Sequence, residues 1–339
     1  MSEDLEKEIL LIPGVVGTFV KDGIRYIMLK EMLPMSEMKV FEDRGWRVLI
    51  TGEFVPLLKK GATQPQERTG RYRPILGGIS VGHYKITAGT LGILMKDKDG
   101  DVVILSNNHV LANSSSDKKS RAAKGDPILQ PGRYDGGTIE KDTVAKLKDW
   151  IPIAEGGWNE VDAAIAKVDA GIPYKNEQLG LGKAKGIRYE VKENETLQKS
   201  GRTSEVTKGP VYATNATVTV NYGEFIAYFK NQILVINPFG SPGDSGSAVF
   251  DANMNLVGLL FAGSISHTVV CPIKSVVEKF GLSLLDGEAP PPPPPQGKRY
   301  VGALKLTGKG KGYAKVADYL IPIELDLTLE GTEEGRVEQ

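Results

Sequence analysis

The chain has 339 residues, with 42 Lys and Arg balanced by 42 Asp and Glu, so it lacks the basic footprint of a nucleic-acid binder. A hydrophobic content of 40% is enough for more than one core, and the length suggests two or three units. The single Cys271 excludes an internal disulfide and fits a reducing compartment, and no apolar run reaches the length of a membrane span.

The opening, Met1 to Glu8, is acidic and lacks a basic region followed by an apolar core, so a soluble cytoplasmic protein is expected. Residues Ile9 to Leu58 read as a strand, an Asp22-Gly23 turn, a second strand, a Met-rich segment over Glu31 to Lys39, and strands at Trp46 to Thr51 and Glu53 to Leu57. Asp-Gly between apolar runs is a hairpin signal, and residues 1–60 are expected to form a small α/β domain. Residues 61–70 are polar and rich in breakers, hence a linker.

From residue 71 to 287 the pattern is one of short β-branched runs separated by turns, as two antiparallel barrels require. Lys274 to Phe280 has helical spacing, with Gly281 placed to stop it. Six prolines at Pro290 to Pro295 fit neither helix nor sheet and predict an extended spacer over 288–297. The tail, 298–339, reads as strands at Arg299 to Thr307, Gly312 to Tyr319 and Ile321 to Leu329. About 40 residues cannot bury an independent core, so docking on another domain or subunit is expected, and a homo-oligomer with it.

Three segments carry chemistry. His109 follows Ser106-Asn107-Asn108, Asp162 precedes Ala163-Ala164-Ile165, and Ser245 lies in Gly243-Asp244-Ser245-Gly246-Ser247. A serine hydroxyl is a weak nucleophile, so attack on an amide carbonyl needs a neutral imidazole to take its proton and a carboxylate to fix the tautomer and meet the imidazolium. The backbone N–H groups of Gly243 and Ser245 are placed to converge on an oxyanion, and glycine at 243 offers its donor without a Cβ. Other carboxylates, Asp149, Glu160 and Asp169, lack the small-small-aliphatic run after Asp162. The order Ser245, Asp251, His267 would suit an α/β-hydrolase, but Ser247 breaks Gly-x-Ser-x-Gly and strand-like sequence follows the loop. His83 and His267 read as structural, and Cys271 as a small buried apolar residue.

The order His, Asp, Ser and these surroundings resemble the trypsin-like (chymotrypsin-fold) serine peptidases over about Arg71 to Leu285, in particular a cysteine-poor prokaryotic branch with a small preceding domain. Pro74 to Gly82, Ala88 to Leu94, the Gly201-Arg202-Thr203 turn and Leu256 to Gly263 resemble strands and turns of that fold. The resemblance implies a mainly β, double antiparallel β-barrel architecture and a serine endopeptidase acting on polypeptides through an acyl-enzyme. It also implies Phe239 at the base of the primary specificity pocket and Phe261, Ala262 and Gly263 along its wall. With no carboxylate at that base, apolar or small side chains are expected before the cut. Two departures stand out: Asn107-Asn108 precede His109 where Ala-Ala is usual, and Ser247 replaces a second glycine.

In zymogen relatives the Asp beside the nucleophile pairs with a newly released amino terminus. Here Asp244 must find internal partners, and the intact chain is expected to be competent without N-terminal processing. No cofactor and no metal is expected. The alternative reading is a non-hydrolytic scaffold of this fold whose terminal modules drive oligomeric assembly.

Overall fold

Short apolar runs broken by Gly, Pro and Asn build two large sheets and two small two-stranded ones, as a computed structural model of the protein describes for residues 3–57, 67–285, 310–316 and 319–325. The fold is mainly β. Residues 1–290 make one compact unit and 291–339 a second. Among the described residues, no helix is long and apolar enough to cross a membrane.

The first barrel sheet runs, in spatial order, Ser283–Leu284, Ile93–Lys96, Val102–Ser106, Ala164–Val168, Thr143–Trp150, Pro127–Leu129, Ser80–His83 and Gly89–Thr90. Its interior is an aliphatic cluster that includes Ile79, Val81, Leu94, Ile104, Ile128, Leu147 and Ala166, all essentially unexposed. The second barrel closes on itself. Thr196–Gly201 pairs Glu205–Asn221, then come Ile226–Ile236, His267–Pro272, Asn255–Gly263 and Ala248–Phe250, which pairs back onto Thr196–Gly201. Closure pairs both edges of these strands along the barrel, and the end of Glu205–Asn221 that runs past Thr196–Gly201 takes a further partner.

The Asp22-Gly23 turn forms as the dipeptide predicts: both residues have positive φ, 52° and 72°, and Val15–Lys21 folds back on Ile24–Leu29. The Met-rich stretch is a helix, Met35–Asp43, that crosses to a parallel strand, Trp46–Ile50. These elements continue the sheet of the second barrel, since Gly17 and Thr18 pair Val218 and Thr217. Leu10, Ile27, Leu29, Phe41 and Trp46 pack with Tyr228 in one apolar cluster.

The expected strand at Glu53 to Leu57 is shorter, Val55–Pro56, and its partner is Asn255–Gly263 of the second barrel. The helix Ile273–Phe280 ends at Gly281, whose φ of 61° is left-handed. In the tail unit, Gly310–Val316 and Tyr319–Leu325 pair antiparallel around positions 317 and 318. The polyproline run, the expected strand at Arg299 to Thr307 and residues 61–66 of the expected linker lie outside the described residues.

Candidate active site

Strand register brings His109 to Asp162. Val102–Ser106 delivers a short helical turn, Asn108–Leu111, while the neighbouring strand Ala164–Val168 begins just after Asp162, with Ala164 opposite Ser106. His109 Nδ1 lies 2.5 Å from Asp162 Oδ2, and the His109 amide donates to Oδ1 at 3.2 Å. Both side chains are fully buried. A carboxylate accepts only, so the neutral ring carries its proton on Nδ1 and presents a bare Nε2. That nitrogen is buried with no hydrogen-bond partner among the described residues.

The sequence reading missed Tyr222, whose hydroxyl donates to Asp162 Oδ2 at 2.7 Å. Burial first, and then the Asp162 charge, pushes the Tyr222 phenol well above its ordinary range, so it stays a donor. Its position at the exit of a 17-residue strand gave no local signal. The unusual Asn-Asn is explained by backbone capture: Asn107 Nδ2 donates to Asp162 O at 2.7 Å, and Asn108 Nδ2 to the carbonyls of Ser115 at 2.8 Å and Ile151 at 2.7 Å.

Ser245 is fully buried, and its hydroxyl donates to Phe261 O at 3.1 Å rather than to His109. The Gly243–Ser247 loop nonetheless abuts the His109 turn. A β-carbon at Gly89 would lie 2.5 Å from Val110 Cγ2 and 2.9 Å from Ser245 O, and the Thr90 amide donates to that carbonyl at 2.8 Å. Gly246, with φ 92°, is the tight position, because a β-carbon there would meet Ser106 Oγ at 1.9 Å. Ser247 fits beside it by donating its hydroxyl to Asp244 O at 2.6 Å.

The amides of Gly243 and Ser245 both donate to one peptide oxygen, that of Leu57, with Ser245 N at 3.5 Å and Gly243 N closer. Leu57 N in turn donates to Phe261 O at 3.3 Å, and Pro56 and Val55 pair antiparallel with Ala262 and Gly263. The Leu57 side chain is buried in an apolar cluster with Phe239, Val235, Leu260 and Val270. Its Cδ1 sits 3.0 Å and 3.2 Å from where β-carbons would stand on Gly263 and Gly240. Phe239, Phe261, Ala262 and Gly263 thus gather around a residue that the sequence reading had left at the end of a terminal strand.

Asp244 is also fully buried, and five groups hold its carboxylate. Lys199 Nζ reaches Oδ2 at 2.9 Å, the amides of Thr203, Ser204 and Ser241 donate at 2.8, 3.1 and 2.9 Å, and the Ser204 hydroxyl adds a short contact. Burial opposes the charge, but Lys199 and these donors outweigh it and keep the Asp244 pKa below the ordinary value. Close by, Arg202 and Asp135 form a second buried ion pair, with Nε to Oδ2 at 2.6 Å.

His83 and His267 lie in the sheets, and their side chains meet Asp126 and Ser266 rather than Ser245, His109 or Asp162. Burial lowers both, His267 to about 4, and His83 keeps Asp126 at 3.0 Å. Burial pushes the Cys271 thiol up to about 12. Asp97, Asp99 and Asp101 cluster, but Lys148 Nζ sits among all three at 2.5, 2.8 and 2.8 Å.

No protein-family model matches the sequence, and no curated protein is significantly similar to it. Among solved structures, an alpha-lytic protease homolog is 17% identical with a TM-score of 0.46, over 62% of this chain and 99% of that one. Thermobifida fusca protease A gives 15% and 0.44, over 63% and 99%. A Nocardiopsis protease gives 14% and 0.44, over 62% and 99%. These likenesses are distant, and the fold stands on the strand order itself: two large curled β-sheets, the second closed through the pairing of Ala248–Phe250 with Thr196–Gly201.

Proposed function

We propose that this chain is a serine endopeptidase that hydrolyses polypeptides through Ser245, His109 and Asp162. The observation that carries the reading is the convergence of two backbone amides, those of Gly243 and of Ser245, the residue that bears the hydroxyl, on a single peptide carbonyl oxygen, that of Leu57. The reading requires the Ser245 hydroxyl to leave Phe261 O, its partner at 3.1 Å, for the bare His109 Nε2.

Acylation then proceeds with the hydroxyl proton passing to His109 as the oxygen attacks. Negative charge grows on the oxygen held by the two amides, a setting in which one donor is worth roughly 2.7–4 kcal/mol of the barrier. Asp162, held by Tyr222 and the His109 amide, meets the imidazolium. His109 returns its proton to the leaving amine, and a water molecule hydrolyses the ester by the same route in reverse. Phe239 and the strand Phe261 to Gly263 receive an apolar side chain before the cut.

Fluorophosphonate labelling tests the reading directly, because it reports an activated serine without a known substrate. Leu57→Asp, which draws the chain's own segment out of the cleft, should be modified at Ser245, and the same chain also carrying Ser245→Ala should not. Equal labelling of the two would overturn the assignment.

A further inference from the structure

We propose that the chain is its own substrate: the site cuts the Leu57–Leu58 peptide bond in cis. This rests on the peptidase reading above and adds the bond that is cut. The segment Val55 to Leu57 lies against Asn255–Gly263 as an acyl-side peptide would, antiparallel and joined through Ala262 and Gly263. Leu57 N is bound to Phe261 O, Leu57 O is bound by the amides of Gly243 and Ser245, and the Leu57 side chain fills the apolar recess between Gly240 and Gly263. A residue whose carbonyl oxygen is held by those two amides is the residue whose C-terminal peptide bond is attacked. No other described segment of the chain makes these contacts.

The segment is also delivered rather than merely tolerated. Phe54, fully buried, bridges to Val220, and its carbonyl accepts from Asn221 N at 3.0 Å. Upstream, Thr51 N is tied to Leu29 O at 2.9 Å and Ser266 Oγ to Thr51 O at 3.1 Å. These ties fix Leu57 over Ser245 without a bimolecular encounter, which is the condition for a fast intramolecular reaction.

The chemistry balances with one water. Ser245 Oγ bonds to the Leu57 carbonyl carbon as His109 takes its proton, and the carbon–nitrogen bond to Leu58 breaks as His109 protonates the departing amine. Water then adds to the Leu57–Ser245 ester, giving up one proton through His109 to the serine oxygen, and leaves a Leu57 carboxyl and a free Leu58 amine. The N-terminal piece stays attached, because Val15–Lys21 remains paired with Glu205–Asn221 and its helices remain packed on Tyr228. The sequence predicts a chain competent without N-terminal processing and with Asp244 held internally; Lys199 is such an internal partner, whereas cleavage after Leu57 departs from that expectation by making the N-terminal piece a processed segment.

The test is denaturing mass spectrometry of the purified full-length chain, with native size-exclusion chromatography alongside. Wild type should yield fragments 1–57 and 58–339 that co-elute natively, at a rate unchanged on dilution, and Ser245→Ala should stay intact while eluting alike. Leu57→Ala and Leu57→Asp should slow the cut progressively, the latter by on the order of 100-fold, while fluorophosphonate labelling of Ser245 rises. A wild type that remains whole although Leu57→Asp is labelled overturns self-cleavage and leaves the peptidase reading standing. Cutting at another bond, or cleavage of the Ser245→Ala chain in trans alone, also overturns it. Absence of labelling in every variant defeats the peptidase reading itself.

Discussion

Lys199 and Asp244 form an ion pair at 2.9 Å in which neither side chain touches solvent. Removing one partner of such a pair leaves a stranded charge, at a cost of about 3–5 kcal/mol. Lys199→Met should therefore lower unfolding stability by roughly that amount and disorder the turn that presents the Gly243 amide. Chemical denaturation and fluorophosphonate labelling should fall together in this variant, and retention of full labelling would separate the pair from the oxyanion turn. Because the folded Asp244 pKa lies below its unfolded value, its stabilising contribution is complete above the ordinary carboxylate pKa and is lost as pH falls through the lower, folded one.

Asp162→Asn should leave the fold intact and reduce kcat by about 10⁴-fold, because an amide favours the wrong His109 tautomer. Tyr222→Phe removes one donor to the same carboxylate and should cost about 1–2 kcal/mol of barrier, or roughly 5- to 30-fold, with the loss in kcat rather than KM. An unchanged kcat in Tyr222→Phe would show that the His109 amide alone holds Asp162.

The pocket should prefer a Leu-sized apolar residue before the cut. Gly263→Val would put a side chain where Leu57 Cδ1 now lies, and should abolish cleavage after large residues while sparing the fold. A peptide-library profile dominated by Arg or Lys in the wild type would contradict the apolar lining of Phe239, Val235 and Leu260.

His267 titrates at about 4 when folded against 6.5 in the reference state, because burial disfavours its charged form. The unfolded chain thus binds a proton first, and stability falls as pH drops from about 6.5 toward 4, by roughly 3 kcal/mol from this residue. His267→Gln should flatten that part of a pH–stability curve measured by denaturant melts. The same slope in wild type and variant would place the effect elsewhere, for example at His83, which burial also lowers.

Local sequence is enough for the hairpin at Asp22-Gly23, the stop at Gly281 and the strand-turn pattern of both barrels, since each depends on residues within a few positions. The pairing of His109 with Asp162 is legible because each sits where a strand meets a turn. Lys199, Tyr222 and Leu57 were not legible in their roles. Each acts through a partner more than 40 residues away: Asp244, Asp162 and the Gly243 amide respectively. A lysine in a strand, a tyrosine at a strand exit and a leucine after proline are ordinary in sequence. Only the closed barrel gives them their meaning.

The strand Glu205–Asn221 is longer than any of its partners, and one of its edges is divided between two of them. Thr196–Gly201 takes residues 205–210, and Val15–Lys21 takes the stretch around Thr217 and Val218. A chain trimmed of its first 57 residues would therefore expose a ready-made berth for a foreign strand, inviting self-association through main-chain pairing. The segment that lies across the cleft and the strand that seals this berth belong to one N-terminal piece, so uncovering the cleft by losing that piece would trade a covered site for a sticky edge.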